Sequence, residues 1–155
     1  MRSAALDAID RRLLKLLQKN NRRRLRDLAD ELGVSAPTCM RRMRRLQKAG
    51  VIRAHTALLN PERLGFAVKA FIEVTLVNAG GNDMTAFERQ MSRCPEVTQC
   101  SELAGEVDYL LTVQVREMKE FADFTRTHLA DDQRIRSYRS LLVLRQLKEE
   151  HELPV

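Results

Sequence analysis

No apolar run in this sequence exceeds a few residues. Nothing is therefore long enough to cross a bilayer or to serve as the hydrophobic core of a secretion signal. Cysteine is scarce and odd in number: Cys39, Cys94 and Cys100, in a chain without a secretory leader, point to reduced thiols and a cytoplasmic setting. None of the three has metal-ligand spacing, and His55, His128 and His151 lie far apart, so neither a metal nor any other cofactor is expected. A His/Cys/carboxylate cluster, a phosphate-cradling loop and paired acids within one motif are all missing too, which argues against an enzyme. Low-complexity tracts are absent. With 44% hydrophobic and 31% charged residues, the composition is that of a folded, soluble protein.

What is present is unevenly distributed. The net charge of +6 hides a first half, residues 1–63, with 16 Lys/Arg against 6 Asp/Glu, and a second half with 11 against 15. A basic segment joined to a mildly acidic one suggests that the first half alone meets nucleic acid. A length of 155 residues allows one domain or two small ones. The charge division favours two, 1–60 and 61–155.

The basic half is organised around residues 33–50. Gly33 can take the left-handed conformation that closes a helix, Ser35 is a good N-cap, and Pro37 is tolerated in the first turn of the next helix. Cys39, Met43 and Leu46 then recur as one apolar stripe and belong to the core. Arg41, Arg44, Arg45 and Lys48 gather on the opposite side with Arg42 on the flank, and no Asp or Glu lies between Ser35 and Gly50 to neutralise them. A first helix from Leu6 to about Lys19 carries Ile9, Leu13, Leu16 and Leu17, with Asp7 and Asp10 near its positive end. A short second helix carries Leu25, Leu28, Ala29 and Leu32. Three helices with a tight turn between the last two make a helix-turn-helix core. Val51–Leu59 reads as extended, either a wing or a strand leading out, and Asn60-Pro61 as a turn.

The acidic half reads as β, α, β, β, α, β. Val68, Ala70, Ile72, Val74 and Leu76 alternate on one face of a first strand. After Gly80-Gly81, Asn82 or Asp83 is expected to cap a helix with Met84, Phe87 and Met91. Strands at 97–104 and 109–115 flank the connection Gly105–Asp108. A second helix holds Met118, Phe121, Phe124 and Leu129, and a last strand spans about 135–147. This is the βαββαβ, ferredoxin-like plan, an α+β domain whose helices cover one sheet face. The other face is left for a partner subunit.

Over essentially its whole length the chain resembles the Lrp/AsnC, or feast–famine, family of transcription regulators. The resemblance rests on L-D-A-I-D-R-R-L-L-K-L-L-Q (6–18), L-A-D-E-L-G-V-S (28–35), P-T-C-M-R-R-M-R-R-L-Q-K-A-G-V-I (37–52), T-A-L-L-N-P-E-R-L-G (56–65) and, most specifically, L-A-G-E-V-D-Y-L-L (103–111). It implies a winged helix-turn-helix DNA reader joined to an amino-acid-sensing ferredoxin-like domain, assembled as homodimers and often octamers. Two positions depart from the family pattern. Arg24 stands where Ser or Thr commonly caps the second helix, at a cost of about 1 kcal/mol, and Ala36 stands where proline is common.

On a helix-turn-helix the N-terminal end of the reading helix lies deepest in the groove. Ser35, Pro37, Thr38, Arg41 and Arg42 are placed for base edges, with Arg41 or Arg42 for guanine; Arg45 and Lys48 suit phosphates. The Arg22–Arg24 run suits either backbone contact or a solvated loop. The resemblance places an effector site at Leu103, Ala104, Gly105, Asp108 and Tyr109, together with the end of the last strand at Ser140, Leu142 and Val143. Gly105 would let the backbone turn sharply and a ligand approach closely. Asp108 suits an α-ammonium group or a cap on its own turn, and Tyr109 suits packing or a ligand contact. The apolar Leu103, Leu142, Val143 and Leu144 favour an aliphatic or thioether amino acid. The competing readings are a weakly specific architectural DNA binder and a small dimeric ferredoxin-like enzyme.

Overall fold

The computed structural model describes residues 5–78 and 80–155. They divide into two compact units, one made of residues up to Leu58 together with Lys148–Val155, the other of Leu59–Leu147. The chain therefore passes between the units twice.

In the helical unit, α1 (Ala8–Lys19), α2 (Leu25–Leu32) and α3 (Ala36–Lys48) follow the expected order. Asp7 and Asp10 close α1 with a reciprocal capping box: the Asp10 amide donates to Asp7 Oδ1 at 2.8 Å, and the Asp7 amide to Asp10 Oδ2 at 3.2 Å. Arg24 stands at the start of α2 without a side-chain capping bond. Gly33 ends α2 at φ 69°, a conformation an L side chain would resist. Ser35 caps α3, its Oγ accepting from the Thr38 amide at 3.4 Å. The core consists of Leu13, Leu14, Leu17, Leu28, Ala29, Leu32, Cys39 and Leu46, with Met43 packed at its edge.

Two parts of this unit differ from expectation. Residues 53–60 have no regular secondary structure, so neither a paired wing strand nor a strand leading out forms among these described residues. The contacts of that segment are side-chain ones: Gln47 Nε2 lies 3.0 Å from His55 Nε2, and Asn21 Nδ2 donates to the Thr56 carbonyl at 3.4 Å. Residues 148–155, expected to belong with the sheet, join the helices instead. The Leu153 amide donates to Gln18 Oε1 at 2.7 Å, Gln18 Nε2 donates back to the Leu153 carbonyl at 3.1 Å, and Val155 packs on the core.

The sheet unit has β1 (Val68–Leu76), α4 (Asn82–Met91), β2 (Val97–Glu102), β3 (Tyr109–Val115), α5 (Met118–Thr125) continuing into a π-helical turn (Arg126–Ala130), and β4 (Ile135–Leu142). The strands are antiparallel in the order β2-β3-β1-β4. Ala70, Ile72, Val74 and Leu76 are buried under Phe87 and Met91 of α4 and Phe121, Phe124 and Leu129. Gly81, at φ 60°, occupies the N-cap of α4, so Asn82 and Asp83 fall within its first turn rather than at the cap. β4 stops at Leu142, five residues short of the expected end.

The uncovered sheet face is mixed rather than apolar. By register it carries Lys69, Phe71, Glu73 and Thr75 from β1, Leu110, Thr112 and Gln114 from β3, and Arg139 and Leu141 from β4. Arg139 and Glu73 pair across it at 2.6 Å.

Candidate functional site

Helix α3 presents its charge as the 100° rule requires. Arg41, Arg44, Arg45 and Lys48 are exposed on one side; Cys39 and Leu46 are buried on the other. Ser35 and Pro37 are exposed at the N-terminal end, with Thr38 half-buried beside them. Arg41, Arg44 and Lys48 form no ion pair with any described residue. Arg44, which the sequence places on this face without a role of its own, is exposed at its edge.

Arg42, expected at a base edge, is engaged elsewhere. Its Nη1 donates to Asp7 Oδ2 at 2.6 Å and to Asp10 Oδ1 at 2.8 Å, and its Nε is buried without a partner among the described residues. Asp10 is wholly buried and also accepts from Arg45 Nη2. The Asp10 amide and the Arg42 guanidinium hold the Asp7 carboxyl below its ordinary range. Two helices are thus joined by a carboxylate that sequence reasoning assigned only to the helix dipole. The signal was available: Asp10 lies at i, i+3, i+4 and i+7 to Leu13, Leu14 and Leu17, the buried stripe of α1. Nearby, Arg22 and Arg24 are exposed, whereas Arg23 pairs with Glu31.

In the sheet unit the 103–108 connection is closed by the Leu103 amide donating to the Asp108 carbonyl at 2.8 Å. Asp108 is tied to β1 twice: its amide donates to the Val74 carbonyl at 3.0 Å, and its Oδ2 accepts from the Leu76 amide at 2.7 Å. One carboxylate oxygen is thereby committed to the fold. Leu103, Ala104 and Gly105 are exposed. Gly105 does not have the positive φ that would demand glycine, and a Cβ added there would meet nothing within 4 Å. Tyr109 is a core residue: it is 1% exposed, its ring tilts against Phe87 at 4.9 Å, and its hydroxyl donates to Glu88 Oε1 at 2.9 Å. Burial first, and the Glu88 carboxylate second, push its hydroxyl pKa upward.

The two halves of the expected effector site do not meet within one chain. Tyr109 stands opposite Val74, whereas Ser140 and Leu142 stand opposite Ile72 and Ala70 on the far side of β1. From Val74 back to Ala70 is about 13 Å along the strand, and β3 and β4 are two strand spacings, about 10 Å, apart. The β4 residue level with the turn is Tyr138, 39% exposed, which the sequence reading did not single out. Ser140 and Leu142 are exposed on the edge strand and Val143 is half-buried beyond it. Among the described residues no three His, Cys, Asp or Glu side chains converge in a way that would hold a metal ion, and no helix is long and apolar enough to cross a membrane.

Residues 6–53 match the family model of a winged helix-turn-helix DNA-binding domain, and residues 69–153 match that of an Lrp/AsnC ligand-binding domain. The chain is 37% identical to the leucine-responsive regulatory protein of Rhizobium meliloti over 144 residues, 93% of this chain and 92% of that one. Among solved structures, it resembles an AsnC family transcriptional regulator from Agrobacterium tumefaciens (TM-score 0.89, 32% identity, 96% of this chain and 97% of that one). It also resembles a transcriptional regulator of Neisseria meningitidis in complex with L-Met (TM-score 0.90, 32% identity, 97% of each chain).

Proposed function

This chain belongs to the Lrp/AsnC family of transcription regulators, and from that premise we propose that it reads duplex DNA sequence through α3 and adjusts its binding to a small aliphatic or thioether amino acid. It is a regulator with a DNA-binding and an amino-acid-binding domain, not an enzyme. The reading is carried by one observation: the acid-free outer face of α3, where Arg41, Arg44 and Lys48 stand exposed and unpaired among the described residues.

Ser35, Pro37, Thr38 and Arg41 lie at the end of α3 that enters a major groove first, so they form the base-reading set. Arg44, Arg45 and Lys48 face phosphates. Arg42, already held by two carboxylates, is left out. A homodimer working in the cytoplasm sets two such helices about one turn of DNA apart, with octamers built from those dimers.

For the effector, the exposed Leu103 beside Gly105 supplies an apolar contact, and the free oxygen of Asp108 a partner for the ammonium group. Ser140, Leu142 and Val143 can join them only from a second copy, which makes the site intersubunit. The L-Met complex of the Neisseria meningitidis relative supports the thioether class. A ligand so placed acts by favouring one assembly over another.

The test begins with DNA selected by the protein from a random pool. Arg41→Ala should lose about 1–3 kcal/mol on the selected site and far less on random duplex. An equal loss on both would move Arg41 to the backbone and sink the base-reading assignment. In parallel, L-Met or L-Leu should raise the melting temperature, while L-Asp and L-Lys leave it unchanged.

A further inference from the structure

The five cations of α3 are not equivalent. Arg42 makes hydrogen bonds at 2.6 and 2.8 Å to two carboxylates, and its side chain is only 21% exposed. Arg45 is about half-exposed, but one of its Nη atoms is held from behind by Asp10. Arg41, Arg44 and Lys48 have no such partner among the described residues. Asp10 itself is completely buried, and among the described residues its charge is compensated by these two guanidiniums and by the Asp7 amide.

We propose that Asp7 and Asp10 are built-in counter-ions that take the place of DNA phosphates as partners of Arg42, from the α1 side of the helix. They hold Arg42 off the DNA and fix the direction in which Arg45 presents its remaining N–H groups. Drawing Arg42 onto a phosphate would strip a buried carboxylate of a partner, and breaking a buried pair costs more than an exposed ion pair returns. The unpartnered, buried Nε of Arg42 fits this arrangement, because the guanidinium is placed to satisfy the two acids rather than its own full donor set. The consequence is specificity by subtraction. Sequence-independent affinity grows with every phosphate neutralised, and the pair of acids keeps one available arginine out of that sum. The inference rests on the DNA-binding reading and adds that Asp10 is a positioning residue for it.

The experiment measures affinity of the full-length protein for a random-sequence duplex as a function of salt. Each phosphate contact contributes about 0.9 to the slope of log K against log salt. Lys48→Met, the control, should lower the slope by about 0.9. Arg42→Met should leave it unchanged, because Arg42 touches no phosphate. Asp10→Asn keeps the side chain's size and its ability to accept the Asp7 amide, but removes the counter-charge; the slope should steepen by about one unit or more as Arg42 is released. Preference for a selected site over random duplex should fall with it. A slope that drops in Arg42→Met, as in Lys48→Met, overturns the proposal, as does an unchanged slope in a folded Asp10→Asn protein. If Asp10→Asn does not fold, Arg42→Met decides alone. A wild-type protein with no salt-dependent binding would instead refute the DNA-binding reading itself.

Discussion

The helical unit and the sheet unit hold themselves together by different means. Among the described residues, the sheet unit buries fourteen apolar side chains between one sheet face and two helices, including Phe87, Tyr109, Phe121 and Phe124. The helical unit buries eight among its described residues, none of those eight aromatic, and adds two devices: a buried carboxylate gripping two arginines, and the segment 148–155 hydrogen-bonded to Gln18. Small domains bury a smaller fraction of their surface and so depend more on such staples. The unit that must carry a strongly basic face is also the one with the smaller core. Repulsion among Arg41, Arg44, Arg45 and Lys48 works against its compactness, and Asp10 offsets that at the centre.

This contrast is tested most severely by comparable cavities in each core. Leu13→Ala and Phe87→Ala each truncate a side chain that is 0% exposed, and each should cost about 2–5 kcal/mol. The outcomes should nevertheless differ. Leu13→Ala should melt the helical unit and abolish DNA binding at ordinary temperature, while a separate, later transition of the sheet unit persists in calorimetry. Phe87→Ala should lower that later transition and leave the helical unit folded and DNA-competent. Loss of both units together in either variant would show that they do not fold as separate cooperative blocks.

A smaller effect is expected from removing residues 148–155. The reciprocal Gln18–Leu153 hydrogen bonds and the packing of Val155 lie entirely in the helical unit. Their loss should destabilise that unit by about 1–3 kcal/mol, seen as an earlier first transition with the second unmoved. A shift in the second transition would instead assign the segment to the sheet.

The elements of this chain were legible because their signals are local. Alternation placed Ala70, Ile72, Val74 and Leu76 under the helices, and Gly33 and Ser35 marked the two sides of the helix-turn-helix turn. What was not legible depends on pairings distant in sequence. Asp10 and Arg42 are separated by 32 residues, and Gln18 and Leu153 by 135; no periodicity reports either. Residues 51–59, β-branched and apolar enough to read as a wing or a strand leading out, likewise found no strand to pair with. Tyr109, equally suited to packing or to ligand contact on the sequence, is drawn into the core by Phe87 and Glu88.

The mildest change is aimed at the exposed connection between β2 and β3. Gly105 neither adopts a left-handed conformation nor has a neighbour within 4 Å of where a Cβ would stand, so the fold gives no reason for glycine there. Gly105→Ala should therefore change stability by no more than about 0.5 kcal/mol, the range of ordinary surface substitutions. A second copy of the chain or an amino acid lying against the bare backbone would meet that methyl group. The variant should then keep its melting temperature without ligand and lose the rise produced by L-Met, with ligand-free DNA binding intact because α3 belongs to the other unit. If the L-Met response survives unchanged, the ligand does not approach at Gly105, and the effector site must be sought elsewhere on the sheet unit, first at Tyr138, which stands level with the turn on β4.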